Sequence, residues 1–218
     1  MFIGHFAVAY AVKKAAPRTS LATLFLSAQL LDVLWPLLIL AGVEGYRVDP
    51  GNTAFTPLDF HYPFSHSLLG SAVSAVIAGG VYLLWRRSPR AALVIGVLVF
   101  SHWVLDLVVH RPDLPLAPGS DMFFGLGLWN SVVGAYAVEG TLYLAGVLYY
   151  LRNSFAQNRA GRFGSWALAA FLPVVWVANS LSPPLDDSTL LAVAALAGTG
   201  AIALWAWWTD GHRRMKQG

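Results

Sequence analysis

Six long apolar runs, parted by short segments that carry nearly all the charge, set the plan of the chain. They fall at 19–41, 64–85, 91–109, 126–151, 164–182 and 189–208. Each comes close to the ~20 apolar residues that a helix needs to cross a bilayer core. A further run, 2–12, is too short to span at ~1.5 Å per residue and is expected to form an interfacial or half-membrane helix ending at Lys13. The pattern predicts an all-α fold: a polytopic membrane helical bundle of about six transmembrane helices plus a short N-terminal half-membrane helix. The whole chain, 1–218, reads as a single transmembrane domain.

Composition agrees with that plan and narrows the function. Of the 218 residues, 57% are hydrophobic and 11% charged, where a soluble domain carries roughly 25% charge. The mean hydropathy is +0.59. A disordered chain, a coiled coil and a basic-patch nucleic-acid binder are excluded. The chain has no cysteine, which excludes a disulfide scaffold, a thiolate metal site and a cysteine nucleophile. Any metal site must be built from histidine and carboxylates. Lys13 and Lys14 follow the first apolar stretch, whereas a signal peptide carries its cations in front.

The charges are sorted by side. Lys13, Lys14 and Arg18 precede the first span; Arg86, Arg87 and Arg90 join the second and third; Arg152, Arg159 and Arg162 join the fourth and fifth; Arg213, Arg214 and Lys216 close the chain. Only Arg47 and Arg111 lie on the other side, among the acids Glu44, Asp49, Asp59, Asp113, Asp121, Asp186 and Asp187. The positive-inside rule puts the first side in the cytoplasm. The expected location is a bacterial-type cytoplasmic (inner) membrane, with both ends of the bundle cytoplasmic. Trp85, Tyr149, Tyr150, Trp207 and Trp208 fall at predicted cytoplasmic ends and Trp129 at an outer end, as an interfacial aromatic belt requires. The long loops, 42–63 and 110–125, both lie outside and are rich in proline and glycine.

Against this apolar background, Asp32, Asp106 and Glu139 fall inside predicted spans. A charge near the bilayer centre costs ~2.5–3.5 kcal/mol on insertion scales, so such residues face a partner or a wet cavity. His5, His61, His66, His102 and His110 lie in or beside the same segments. Counted from the basic ends at ~1.5 Å per residue, His102 lies ~18 Å deep, Asp32 ~21 Å, Glu139 ~20 Å and Asp106 ~24 Å. His66 and His110 come out near ~30 Å, at the outer boundary. His5 is only ~12 Å from Lys13 and needs a tilted helix, or a segment reaching up from the cytoplasmic face.

His102, Asp106 and His110 are spaced i, i+4, i+8 and are expected on one helix face. Imidazole and carboxylate are the non-thiol ligands of zinc, and i, i+4 spacing lets one helix supply two of them. The plainer reading is an ion pair stapling the helix. In His61-Tyr-Pro-Phe-Ser-His66-Ser67, Pro63 stops a continuous helix and Ser65 is placed to cap the next span. That puts His66 in the first turn, aimed at an outer cavity. Asp32 stands four residues before Pro36, which frees the Asp32 carbonyl and marks a polar pocket. Glu139 reads equally as a ligand, a general base or a buried neutral carboxylic acid.

Taken in order, these residues resemble the YdjM-type family of membrane-bound metal-dependent hydrolases. Gly4-His5 matches that family's N-terminal Gly-His, and Asp32 its Leu-Pro-Asp-like turn. His61, His66, Ser67 and Leu68 match a His-Arg-Gly-x-Thr-His-Ser-Leu block, with Ser65 for Thr. Ser101, His102 and Asp106 match a Ser-His-x-x-x-Asp helix. Leu31, Leu34 and Tyr62-Pro63 depart from the family's Pro, second Asp and Arg-Gly. A remoter likeness, to the all-helical zinc phospholipases C and single-strand zinc nucleases, implies a bridging role for Asp106, with His110 and Glu139 as ligands of a further ion.

These signals lead to a membrane-embedded hydrolase acting on a lipid or lipid-linked (phospho)ester in the outer half of the bilayer. The expected metal ligands are His5, Asp32, His66, His102, Asp106 and His110, holding one to three divalent ions, zinc foremost. Asp32 and Glu139 are the expected catalytic carboxylates. Membrane lipids are the expected partners and nucleic acid is not. The alternatives are a small transporter or proton relay using the same His/Asp/Glu cluster, and a non-catalytic scaffold whose ion pairs pack the bundle.

Overall fold

The computed structural model describes residues 1–216. The described residues form eight α-helices: α1 (Ile3–Val12), α2 (Leu21–Ala28), α3 (Leu30–Leu40), α4 (Leu68–Arg86), α5 (Pro89–Val109), α6 (Val132–Arg152), α7 (Arg159–Leu181) and α8 (Ser188–Asp210). Helices α4 to α8 are each long and apolar enough to cross a membrane, and α2 with α3 is so only when the bent pair is taken together. The all-α bundle expected from the apolar runs is therefore present.

All of the helices but α1 and α3 start on a side-chain cap. Ser20, Ser67, Ser88, Ser131, Asn158 and Asp187 each accept an N–H from the first turn of the helix that follows. Without such caps the first N–H groups would be orphaned in an apolar medium. The cap before α4 is Ser67, not Ser65, so His66 precedes the helix instead of entering its first turn. The run expected to start at 126 becomes helical only at Val132. Gly127 adopts φ 73° and a single 3-10 turn, Leu128–Asn130, follows it.

The predicted span 19–41 is bent by 59° between α2 and α3. The bend centres on Gln29, and α3 continues through Pro36 to Leu40. The Ala28 carbonyl accepts from the His102 ring instead of continuing the helical ladder. The break is thus tied to the buried histidine and not to the proline.

Helix α1 is interior. Ile3, Phe6, Ala7, Ala9 and Tyr10 are at most 2% exposed, and the helix packs mainly on α6 and α2, with α5 beside it. Of the two placements expected for this short helix, the interfacial one is wrong. It reaches through half the bundle, from Lys13 up to His5. Between helices in lipid, close packing replaces the hydrophobic driving force, and Gly146 of α6 provides it. A Cβ built there would run into the Ala7 carbonyl of α1 and lie 2.8 Å from the Ala7 Cα. Phe6, Tyr10, Phe25, Tyr143 and Tyr150 then fill the middle of the bundle, with successive ring centroids 4.8 to 6.2 Å apart.

The two ends differ. At the basic end, β5 (Ser154–Ala156) pairs antiparallel with β6 (Arg213–Met215), so the closing basic segment is a strand. Lys13 is buried and donates to Asp210 Oδ2 and to the Thr19 carbonyl, both at 2.6 Å. Asp210 also accepts from the Leu21 N–H and the Tyr150 hydroxyl, tying α1, α2, α6 and α8 together. At the other end both long loops fold into hairpin pairs: β1 (Gly45–Val48) with β2 (Leu58–His61), and β3 (Leu114–Pro115) with β4 (Phe123–Phe124). Tyr46 donates to the Leu185 carbonyl, and the Phe55 N–H to the Trp129 carbonyl, so these loops form one cap.

Candidate metal centre

Four elements deliver side chains to one point beneath this cap. His5 comes from the first turn of α1 and Asp32 from the first turn of α3. His66 comes from the residue before the α4 cap, and His102 and Asp106 from successive turns of α5. His5, His66, His102 and Asp106 are all at most 4% exposed. The Asp32 side chain is 35% exposed and is the set's contact with the outside.

The donor atoms are spaced as a cation would need them. His102 Nε2 lies 3.0 Å from Asp106 Oδ2 and 3.7 Å from Asp32 Oδ1. His66 Nε2 lies 3.4 Å from Asp32 Oδ1 and 3.8 Å from Asp106 Oδ2. Four atoms around a tetrahedral ion at ~2.1 Å stand about 3.4 Å from one another. The observed separations bracket that value.

The histidine tautomers agree with this. His102 Nδ1–H donates to the Ala28 carbonyl at 2.7 Å. The Ser65 hydroxyl donates to Glu44 Oε2 at 2.6 Å and therefore accepts from His66 Nδ1–H at 2.8 Å. Each neutral ring is left with its lone pair on Nε2, facing carboxylate oxygens. Buried His102 Nε2 has no hydrogen-bond partner. A lone pair set against a carboxylate is repulsive unless a metal ion, or a proton on the ring nitrogen, stands between them. An outward Nδ1–H on a carbonyl or carboxylate is the usual support of a metal-bound imidazole. The His66–His102–Asp106 and His5–Asp32–His102 groups can each hold a metal ion, and they share His102.

His5 plays a second part. Its ring stacks on His102 with centroids 3.7 Å apart and planes 5° apart. Both of its nitrogens lack hydrogen-bond partners, although Nε2 is 3.2 Å from Asp106 Oδ1. The amino group of Met1 also lies against Asp106 Oδ1.

Two expected residues lie beside the cluster. His110 belongs to neither donor group. Helix α5 ends at Val109 and His110 is extended, with ψ 148°, so the expected third rung of the helix face is not helical. His110 Nδ1 instead meets the Tyr62 hydroxyl at 2.9 Å and Asp113 Oδ1 at 3.1 Å. Burial and the Asp113 carboxylate push the Tyr62 hydroxyl well above its ordinary value, so it stays protonated and donates to Asp113 at 2.8 Å. Glu139 is fully buried and accepts from the Phe2 N–H at 2.9 Å and the Trp129 indole at 3.4 Å. Through these two bonds Glu139 anchors the start of α1. His61, part of the family-like block, is exposed at the end of β2.

Glu44 is the contributor that sequence reasoning missed. It sits in the loop end, yet its carboxylate is buried and gathers the N–H groups of Phe64 and Ser65 as well as the Ser65 hydroxyl. Twenty-one residues separate Glu44 from Ser65, and no local spacing links them. Asp210, which organises the basic end, was missed in the same way. No family model matches the chain, and neither a curated protein nor a solved structure matches it.

Proposed function

We propose that the protein is a membrane-embedded, metal-dependent hydrolase of a lipid or lipid-linked phosphoester. The observation that carries this reading is the convergence of His66 Nε2, His102 Nε2 and Asp106 Oδ2, all buried, with the partly exposed Asp32 carboxylate beside the two imidazoles at 3.4 and 3.7 Å. Three protein ligands with one accessible position is the pattern of a catalytic site rather than a structural one. Histidine and carboxylate donors at these separations favour zinc.

A bound divalent cation supplies Lewis acidity and brings the pKa of a water toward ~7. Asp32, at the accessible corner, accepts the proton of the attacking water and returns it to the leaving alcohol as the ester bond breaks. His5 keeps the His102 ring in plane, Ser65 and Glu44 hold His66, and Glu139 fixes the height of α1. The site lies far along α5 from the basic end. With the basic end cytoplasmic, it opens in the outer half of the membrane, where a lipid ester enters from the side.

The transporter reading asks for polar groups through both halves of the bundle. The ring-packed middle around Tyr10, Phe25 and Tyr143 opposes it. The residues here are also those of the YdjM-type resemblance, which supports the same reaction class.

The test is a hydrolysis screen of glycerophospholipids and lipid-linked phosphoesters in mixed micelles with zinc-loaded protein. Activity should vanish on chelation, return with zinc and fall by about 10³-fold or more in His102→Ala, since Lewis-acid stabilisation is worth several kcal/mol. Turnover that survives both chelation and this substitution would contradict the proposal.

A further inference from the structure

At the basic end, remote from the His/Asp cluster, the end of α1, the loop that follows it, the end of α8 and β6 line an open cavity of about 1320 Å³. Its cations divide into two kinds. Lys13 is consumed by Asp210 and Thr19, Arg213 is tied to Ser154 and Gly161, and Lys14 reaches Asn153. Arg18, Arg90, Arg214 and Lys216 also line the cavity. They are exposed, and their side chains make no ion pair or hydrogen bond among the described residues. The one acid in the lining, Asp210, already serves Lys13, the Leu21 N–H and the Tyr150 hydroxyl. The cavity therefore holds a surplus of unanswered positive charge.

We propose that this cavity binds the phosphate headgroup of an anionic membrane lipid. The sidedness of charge in membrane proteins explains cations at this end but not their collection in one cavity. Arg86, Arg87, Arg152, Arg159 and Arg162 share the end and lie outside the lining. The β5–β6 pairing is the device that gathers them. Backbone pairing of Arg214 with Phe155 holds the closing strand beside the other cations, and the Arg213 guanidinium locks that strand onto Ser154. Basic pockets between membrane helices recognise phosphate headgroups through this surplus of charge. A lipid is favoured over a soluble phosphate because Tyr149 and Trp207 line the same cavity and are 45% and 62% exposed. Amphipathic rings of this kind sit at the headgroup level of a bilayer, where a lipid's phosphate also lies.

Native mass spectrometry of the full chain in mild detergent tests this with dioleoyl phosphatidylglycerol, dioleoyl phosphatidylcholine and soluble glycerol phosphate as probes. The wild type should retain phosphatidylglycerol over phosphatidylcholine, and glycerol phosphate should not displace it. An Arg18→Gln/Arg214→Gln variant should bind phosphatidylglycerol about thirty-fold more weakly, from two lost cation contacts. An Arg86→Gln/Arg87→Gln variant, altered at the same end but outside the cavity, should bind as the wild type does. Thermal unfolding confirms that each variant is folded; if the first is not, Arg18→Lys/Arg214→Lys should restore both folding and binding. Equal weakening in the two double variants, no preference for phosphatidylglycerol, or displacement by glycerol phosphate would each overturn the proposal.

Discussion

An Asp106→Asn variant is expected to lose its bound divalent cation while keeping its helical fold. Asp106 faces three members of the cluster and the chain's amino group: Oδ2 faces His102 and His66, and Oδ1 faces His5 and the Met1 amine. Asparagine keeps the volume but replaces a charged ligand with a neutral carbonyl. Removing an outer supporting group of a metal site costs ~10–100-fold in affinity, and removing this inner carboxylate should exceed that. The loss reads out as stability. A cation supplied at a hundred times its dissociation constant adds ~2.7 kcal/mol to the folded state. Zinc should therefore raise the thermal midpoint of the wild type in detergent and leave that of Asp106→Asn unmoved. Equal shifts in both proteins would remove Asp106 from the ligand set.

The second large effect lies away from the cluster, at Gly146. The α1–α6 contact is backbone against side-chain-free backbone, because a Cβ at Gly146 meets the carbonyl group and Cα of Ala7. Those atoms cannot rotate aside as a side-chain tip would. Gly146→Ala must push α1 outward, and α1 carries His5 in its stack on His102. Overpacking costs ~1–3 kcal/mol, and a displacement of ~1 Å at a catalytic group costs ~10²-fold in rate. Gly140, on the same helix, has nothing within 4 Å of its built Cβ. Gly140→Ala should be neutral, or stabilising by ~0.4–1 kcal/mol through the unfolded state. Unfolding midpoints and lipid-ester turnover of the two variants, measured side by side, check the pair. Indistinguishable variants would mean that α1 does not position the site.

The apolar runs located the helices long and apolar enough to cross a membrane because length and hydropathy are local properties. Asp32, His66, His102, Asp106 and His5 stood out because an ionisable group in an apolar run is costly and needs a partner. What stayed hidden is non-local. The break at Gln29 depends on a carbonyl drawn to His102, 74 residues further on. Glu44 reads as an ordinary loop acid until the fold brings it under Ser65. His110 was misjudged by extending the α5 face one turn too far, and the exposed position of His61 shows that a motif match alone does not make a site residue. Helix α1 was ambiguous because ten apolar residues suit an interface or an interior equally. Gly146, which settles the matter, looks in sequence like any other small residue of a membrane helix.

The central claim is a cation held by His66, His102 and Asp106, with Asp32 beside it. Elemental mass spectrometry on the purified full-length protein, before and after reloading with zinc, manganese and cobalt, measures it most directly. The expected result is close to one transition-metal ion per chain, lost in His102→Ala with the helical fold intact. A folded wild type that holds no such ion after reloading, or a His102→Ala variant that retains it in full, would contradict the metal centre and the hydrolase built on it.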